Sequence, residues 1–336
     1  MLARKLKMGG GAGTKTLYTT GKDYTCAWDA GRDGSITLLG SYSSSGNYGC
    51  NVRVNSAGTY AYVAEYVSDT VRVLDISDPT SITQEGSYTH AAFTNGAWGL
   101  WYDEAAEVAF CVGITYLTSI DVSAPATPSL VYQVAVGAPR HAAVDPAYEI
   151  LFSARQASTA ILYARDISNP AVMASLDTDS SDTHYLSSNQ LTVDPTNKIL
   201  MGCSSTNDHV FFVSYTSGGV MTHQADFGPS TDYNAADGVT CDPAREVAFV
   251  AVDRGGTQHG IAAVDYSTPS TPVEVGFIDH TADVAKTMDY IWYDAEWQML
   301  WCSTESGAGV LAIDVSDETD MQVLNYTSDA TYLPYV

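Results

Sequence analysis

The chain has 336 residues, of which 45% are apolar, so a substantial core is available. It carries 15 Lys and Arg against 39 Asp and Glu, a formal charge of -24. Such acidity repels nucleic-acid phosphates and anionic lipid, argues against nucleic acid as a partner, and favours cations or basic partners. No run approaches the ~20 apolar residues of a membrane span, so no membrane insertion is expected. The basic start lacks the apolar stretch of a secretory signal.

Residues 1–13 form a basic, glycine-rich arm. Arg4, Lys5 and Lys7 cluster there in a chain otherwise poor in cations, and Gly9-Gly10-Gly11 tethers them to the rest. This arm is expected to dock onto a protein partner or a neighbouring subunit of an assembly. From residue 14 onward the sequence is a repeat. Asp75-Ile76-Ser77-Asp78-Pro79 returns as Asp121-Val122-Ser123-Ala124-Pro125, Asp166-Ile167-Ser168-Asn169-Pro170 and Asp265-Tyr266-Ser267-Thr268-Pro269. Asp314-Val315-Ser316-Asp317-Glu318 lacks only the proline, and worn copies start at Asp29 and Ser214. The successive intervals are 46, 46, 45, 48, 51 and 49 residues, which makes seven units.

Each unit reads as four short strands joined by short turns. In residues 51–88, Val52 and Val54 alternate, residues 55–58 turn, residues 60–64 and 71–74 form apolar strands, and the Asp75 motif turns the chain into 82–88. A second turn series begins at Asn55, Asp103, Asp145, Asp194, Asp242 and Asp294. Asp suits such turns because its carboxylate accepts backbone N–H groups two or so residues on. A period of this size built from short strands predicts an all-β, seven-bladed β-propeller over 14–336, with four antiparallel strands per blade. Residues 16–19, 24–28 and 36–39 supply three strands of the first blade. The missing innermost strand is expected from residues 332–336, so that N- and C-terminal strands close the ring in one blade and leave no unpaired edge.

The segment from Val71 to Pro79 resembles the LVIVD-repeat family, whose units read Leu-Val-Ile-Val-Asp-Val-Ser-Asp-Pro. The resemblance covers nearly all of 14–336. It implies a propeller used in surface proteins of bacteria and archaea, and it carries no catalytic motif to transfer.

In a four-stranded meander, both Asp turn series fall on one face, which is expected to be strongly negative. The opposite face holds the channel mouth, with His90, His184 and His280 in its loops. The first strands begin there with Trp98, Arg140-His141, Asn189, Asp237 and Asp289. A ring holding Arg140, His141, Asp237 and Asp289 suits a polar ligand or a cation, or acid–base chemistry. The six cysteines fall in six different repeats and read as buried small hydrophobes rather than bridges or a zinc site. No cofactor is expected. Asp29 to Gly34 hints at a calcium loop, but Gly31 and Gly40 stand where ligands are needed, so a worn turn is the reading. The expectation is a non-enzymatic binding or structural module at an extracellular surface or in a virion, anchored by its arm and recognising a protein or a cell-surface ligand. The alternative is a lyase or hydrolase working at the channel mouth.

Overall fold

The computed structural model describes residues 2–3, 14–21, 23–90, 96–137, 139–155, 161–180, 184–185, 188–204, 208–228, 233–255, 258–284, 288, 290–303 and 309–328. Within them lie seven four-stranded antiparallel sheets. The first holds β1 (Leu2–Ala3), β2 (Thr14–Thr20), β3 (Tyr24–Gly31) and β4 (Ile36–Ser43), and the second holds β5 (Gly49–Val54), β6 (Tyr60–Glu65), β7 (Thr70–Asp75) and β8 (Thr83–Thr89). The third holds β9 (Ala97–Asp103), β10 (Val108–Gly113), β11 (Tyr116–Asp121) and β12 (Ser129–Ala135). These three sheets belong to one compact unit, residues 1–138 with 305–310 and 327–336.

The second unit, residues 139–304 with 311–326, carries the other four sheets apart from the ends of two strands. They are β13 (Pro139–Asp145), β14 (Ile150–Arg155), β15 (Ile161–Asp166) and β16 (Ser175–Ser180), then β17 (Ser188–Asp194), β18 (Ile199–Ser204), β19 (His209–Tyr215) and β20 (Met221–Phe227). The sixth has β21 (Tyr233–Asp242), β22 (Val247–Arg254), β23 (Gln258–Asp265) and β24 (Val273–Asp279). The seventh has β25 (Tyr290–Asp294), β26 (Met299–Ser303), β27 (Gly309–Asp314) and β28 (Gln322–Ser328). Among the described residues no helix is long and apolar enough to cross a membrane.

The repeat therefore reports the blades. The first blade differs in one respect. Leu2–Ala3 pairs with β2 through Leu2 opposite Thr19 and Ala3 opposite Tyr18, in the place assigned above to residues 332–336. That C-terminal segment lies outside the described residues, as do Arg4, Lys5 and Lys7.

Alternation along each strand builds the core. On β22, Ala248, Val250 and Val252 pack against Met201, Phe212 and Val239 of the fifth and sixth sheets. Their neighbours Val247, Phe249 and Ala251 pack against Ile291, Leu300 and Leu311 of the seventh. A strand buried on both faces needs such a continuous apolar run, and a one-residue slip would exchange the two sets. Five of the six cysteines, Cys26, Cys111, Cys203, Cys241 and Cys302, are buried free thiols, as expected of small core residues. Burial lifts the thiols of Cys111, Cys203 and Cys302 well above their ordinary range, and that of Cys241 to about 12.

Both Asp series make Asx turns. Asp75 Oδ1 accepts the Ser77 N–H at 2.9 Å, and Asp121, Asp166, Asp265 and Asp314 accept from Ser123, Ser168, Ser267 and Ser316 at 2.8–2.9 Å. In the second series Asp103, Asp145, Asp194, Asp242 and Asp294 accept the N–H two residues on at 2.8–3.0 Å. The expected negative face needs correction here, because Asp145, Asp194, Asp242 and Asp294 are buried. Tyrosines from the following sheets explain three of these. Tyr215 donates to Asp145 at 2.7 Å, Tyr266 to Asp194 at 2.8 Å and Tyr293 to Asp242 at 2.6 Å. A carboxylate that receives its turn N–H groups and a phenol is fully bonded, so it tolerates burial. Desolvation pushes all three phenols far above the ordinary tyrosine range, and the hydrogen bonds to the carboxylates add to the rise. For Asp242, burial raises the carboxyl pKa, but bonds from Tyr293, Arg245 and the Ala244 N–H outweigh it and hold the carboxyl below its usual range.

A second joint uses glycine. The third-to-fourth strand pair carries a β-bulge at the same place in the first, second and sixth sheets, and Gly40, Gly86 and Gly276 sit beside it. A Cβ on these residues would lie 2.5 Å from Pro79 O, 2.2 Å from Pro125 O and 1.9 Å from Glu318 O, all in the Asp-x-Ser turn of the next sheet. The obstacle is backbone and has no rotamer by which to retreat. Gly86→Ala should lower the urea midpoint at constant m, by about 1–3 kcal/mol as for other overpacked sites.

Candidate functional site

The candidate residues lie at the starts of first strands, whose local geometry is set by a recurring irregularity. β5, β9, β13 and β21 each have a register break between Gly49 and Asn51, Ala97 and Gly99, Pro139 and His141, and Ala236 and Gly238. β17 breaks between Ser188 and Leu191. The extra residue is Cys50, Trp98, Arg140 and Asp237 in the first four, and it falls at Asn189-Gln190 in β17. A β-bulge leaves its extra residue out of the ladder and re-aims that side chain, which is why bulges gather beside binding sites. The sequence picked four of these positions, Trp98, Arg140, Asn189 and Asp237, because they begin first strands. Trp98 is half-buried against Tyr66, with ring centroids 4.5 Å apart, and Arg140 and Asp237 are half-buried. Asn189 lies on β17, and its side chain is outside the described set. Asp289 is also outside the described residues.

One residue further along, the side chains tie the first strands of the second unit together. The Leu191 N–H donates to His141 Nδ1 at 3.2 Å, joining β13 to β17. The His141 and Tyr290 rings stack with centroids 6.4 Å apart, joining β13 to β25. Gln190 spans three strands: its Nε2 donates to Ile291 O at 3.0 Å, and its Oε1 accepts the Val239 N–H at 3.2 Å. Sequence reasoning missed Gln190 and Tyr290. Their one available signal was position, four residues before Asp194 and Asp294, as His141 stands four before Asp145.

His141 is thus a buried bridging residue and not a solvent-facing base. His280 is fully buried, with Nδ1 3.3 Å from Val284 O, and burial holds its pKa below the ordinary histidine value. His90 stacks on Tyr88 with centroids 5.8 Å apart. His184, in the connection between β16 and β17, meets Asp226 of β20. Among the described residues, His184, His209 and Asp226 are the group with metal-ligand spacing. The worn loop after Asp29 is a turn closed by Gly34 N to Gly31 O at 3.0 Å and Ser35 N to Asp33 Oδ1 at 3.0 Å.

The family described as "Lactonase, 7-bladed beta-propeller" matches residues 11–97, and the LVIVD repeat matches residues 110–136. The fold is a seven-bladed β-propeller. Solved structures agree. A "putative 6-phosphogluconolactonase" from Bacteroides fragilis superposes with TM-score 0.76 at 9% identity, covering 96% of this chain and 97% of its own. Its namesake from Bacteroides uniformis gives 0.73 at 10% identity, covering 89% and 90%. Hydrazine synthase of Kuenenia stuttgartiensis gives 0.64 at 14% identity, covering 94% and 93%. At such identities the likeness is one of fold. Among curated proteins, none matches this chain.

Proposed function

We propose that this propeller is a non-enzymatic binding module that recognises its partner through bulged residues on its first strands, with Arg140 and Asp237 of the second unit foremost. The observation that carries the reading is the bulge itself. One backbone device recurs in five sheets, yet its extra residue changes from Cys50 to Trp98, Arg140 and Asp237. A scaffold held constant while its presented side chains vary is how a repeat protein recognises a partner. The -24 charge favours a partner with a basic surface. An extracellular or virion setting and anchoring through Arg4, Lys5 and Lys7 belong to the same proposal. Replacing those three by Ser leaves Leu2–Ala3 in place, and unchanged assembly size by light scattering would remove the anchor.

A second reading, a lactone hydrolase, is supported by the lactonase match over 11–97 and by the two lactonase-named structures. Against it stand the bonding of His141 and Gln190 to neighbouring backbone and the acidity, which disfavours a phosphorylated substrate. The deciding assay follows 6-phosphogluconolactone hydrolysis with the native chain and with Arg140→Ala. The binding reading expects no acceleration over buffer. Turnover lost in the variant would establish the hydrolase and end the binding reading.

A further inference from the structure

Away from the first strands, the fifth sheet gathers three histidines around one carboxylate. His209 opens β19, His223 and Asp226 lie on β20, and His184 comes from the connection between β16 and β17. Residues three apart on a regular strand face opposite sides. β20 is not regular there: Phe212 pairs with Ala225 while Val213 pairs with His223, so Gln224 is an extra residue. The bulge turns His223 and Asp226 to one side. His184 Nδ1 then lies 2.5 Å from Asp226 Oδ2, while His223 Nε2 and His209 Nε2 lie 2.9 and 3.5 Å from Asp226 Oδ1.

We propose that His184, His209 and Asp226 bind a divalent transition-metal ion of the zinc type, with His223 holding the carboxylate in place. The donor atoms of the three lie within 4.8 Å of one another. Ligands bound tetrahedrally at ~2.0–2.2 Å stand roughly 3.3–3.6 Å apart, so closure onto an ion needs shifts on the order of an ångström. Two imidazoles with a carboxylate select zinc, cobalt, nickel or copper over calcium and magnesium, which prefer all-oxygen sites. Three protein ligands leave a fourth position for water. His223 bonds the carboxylate as outer partners of metal ligands do.

The same packing holds the imidazoles together beside the carboxylate. The His184 and His223 rings stack with centroids 3.8 Å apart and planes 20° from parallel. His209 is buried, but His184, His223 and Asp226 keep about a quarter of their side-chain surface (29%, 24% and 26%), which leaves a path for entry. The ion would fasten the connection bearing His184 to β19 and β20.

The test uses tag-free full-length protein stripped with a chelator and dialysed. Zinc chloride titrated by calorimetry should bind at one per chain and raise the Tm. Cobalt should give visible d–d bands without a thiolate charge-transfer band, which separates this site from the partly exposed Cys50. Asp226→Ala and His209→Ala should abolish both signals, and His223→Ala should weaken affinity by roughly 10–100-fold. His90→Ala should change neither. Stoichiometry near zero, or binding that survives Asp226→Ala in a chain with native circular dichroism, overturns the assignment. If the Ala variants unfold, Asp226→Asn serves instead, since it keeps the shape and removes the charge.

Discussion

Asp194→Ala is expected to destabilise the propeller by about 3–5 kcal/mol, seen as a large fall in the urea midpoint. The carboxylate is completely buried and accepts four bonds: from the N–H groups of Thr196 and Asn197 at 2.8 and 3.0 Å, from Asn197 Nδ2 at 2.8 Å and from the Tyr266 hydroxyl at 2.8 Å. Alanine leaves a buried phenol and turn donors without an acceptor, at ~1–3 kcal/mol for each orphaned group. Tyr266→Phe removes one bond to a charged acceptor and should cost less, about 1.5–3 kcal/mol. The same joint sets an alkaline limit. Tyr215, Tyr266 and Tyr293 titrate higher in the fold than in the unfolded chain. Above the ordinary tyrosine pKa of ~10 the unfolded state holds fewer protons than the native one, so stability falls as pH rises. Tyr266→Phe should flatten that slope, and an unchanged slope would show that these phenols do not govern it.

Arg72→Ala should cost about 3–5 kcal/mol, the loss typical when one partner of a buried ion pair is removed. Arg72 meets Glu65 as a fork, Nε to Oε1 at 2.6 Å and Nη2 to Oε2 at 2.7 Å, and Glu65 has 1% of its side chain exposed. The bonds to Glu65 raise the guanidinium pKa. Gln84 accepts from both Arg72 Nη1 and the Tyr42 hydroxyl, which links the pair to the preceding blade. Without the arginine, Glu65 keeps only the Ser68 hydroxyl, at 2.8 Å, among its side-chain partners described here. Replacing both residues, Arg72→Met with Glu65→Leu, should recover most of the loss because no buried charge then lacks a counterpart. Equal loss in the single and double variants would show that packing, and not charge, is at stake.

The repeat was legible because turn chemistry is local: Asp followed by Ser two residues on announces its own hydrogen bond. The burial of Asp194 was not legible, since its partner Tyr266 occupies a slot filled by Ile76, Val122, Ile167 and Val315 in other units. Only its hydroxyl departs from the pattern. At the candidate site, position at the start of a first strand pointed to Trp98, Arg140, Asn189 and Asp237, and a register break recurs there. Gln190 escaped because a glutamine in a strand carries no chemical signature until its neighbours across the sheet are known. The histidine cluster escaped for a similar reason. His184 and Asp226 are 42 residues apart, and a regular strand would have kept His223 and Asp226 on opposite faces.

The glycine joint has a consequence for how such a chain can be rebuilt. Gly86 is shaped by Pro125, and Gly40 by Pro79, so the fit of these blades is written partly in the next one. A single repeat is therefore not an interchangeable part. Excising or transplanting the second blade would break both of these fits. Growth of the array by copying favours duplicating whole runs of blades, because a run alters neighbours only at its two ends.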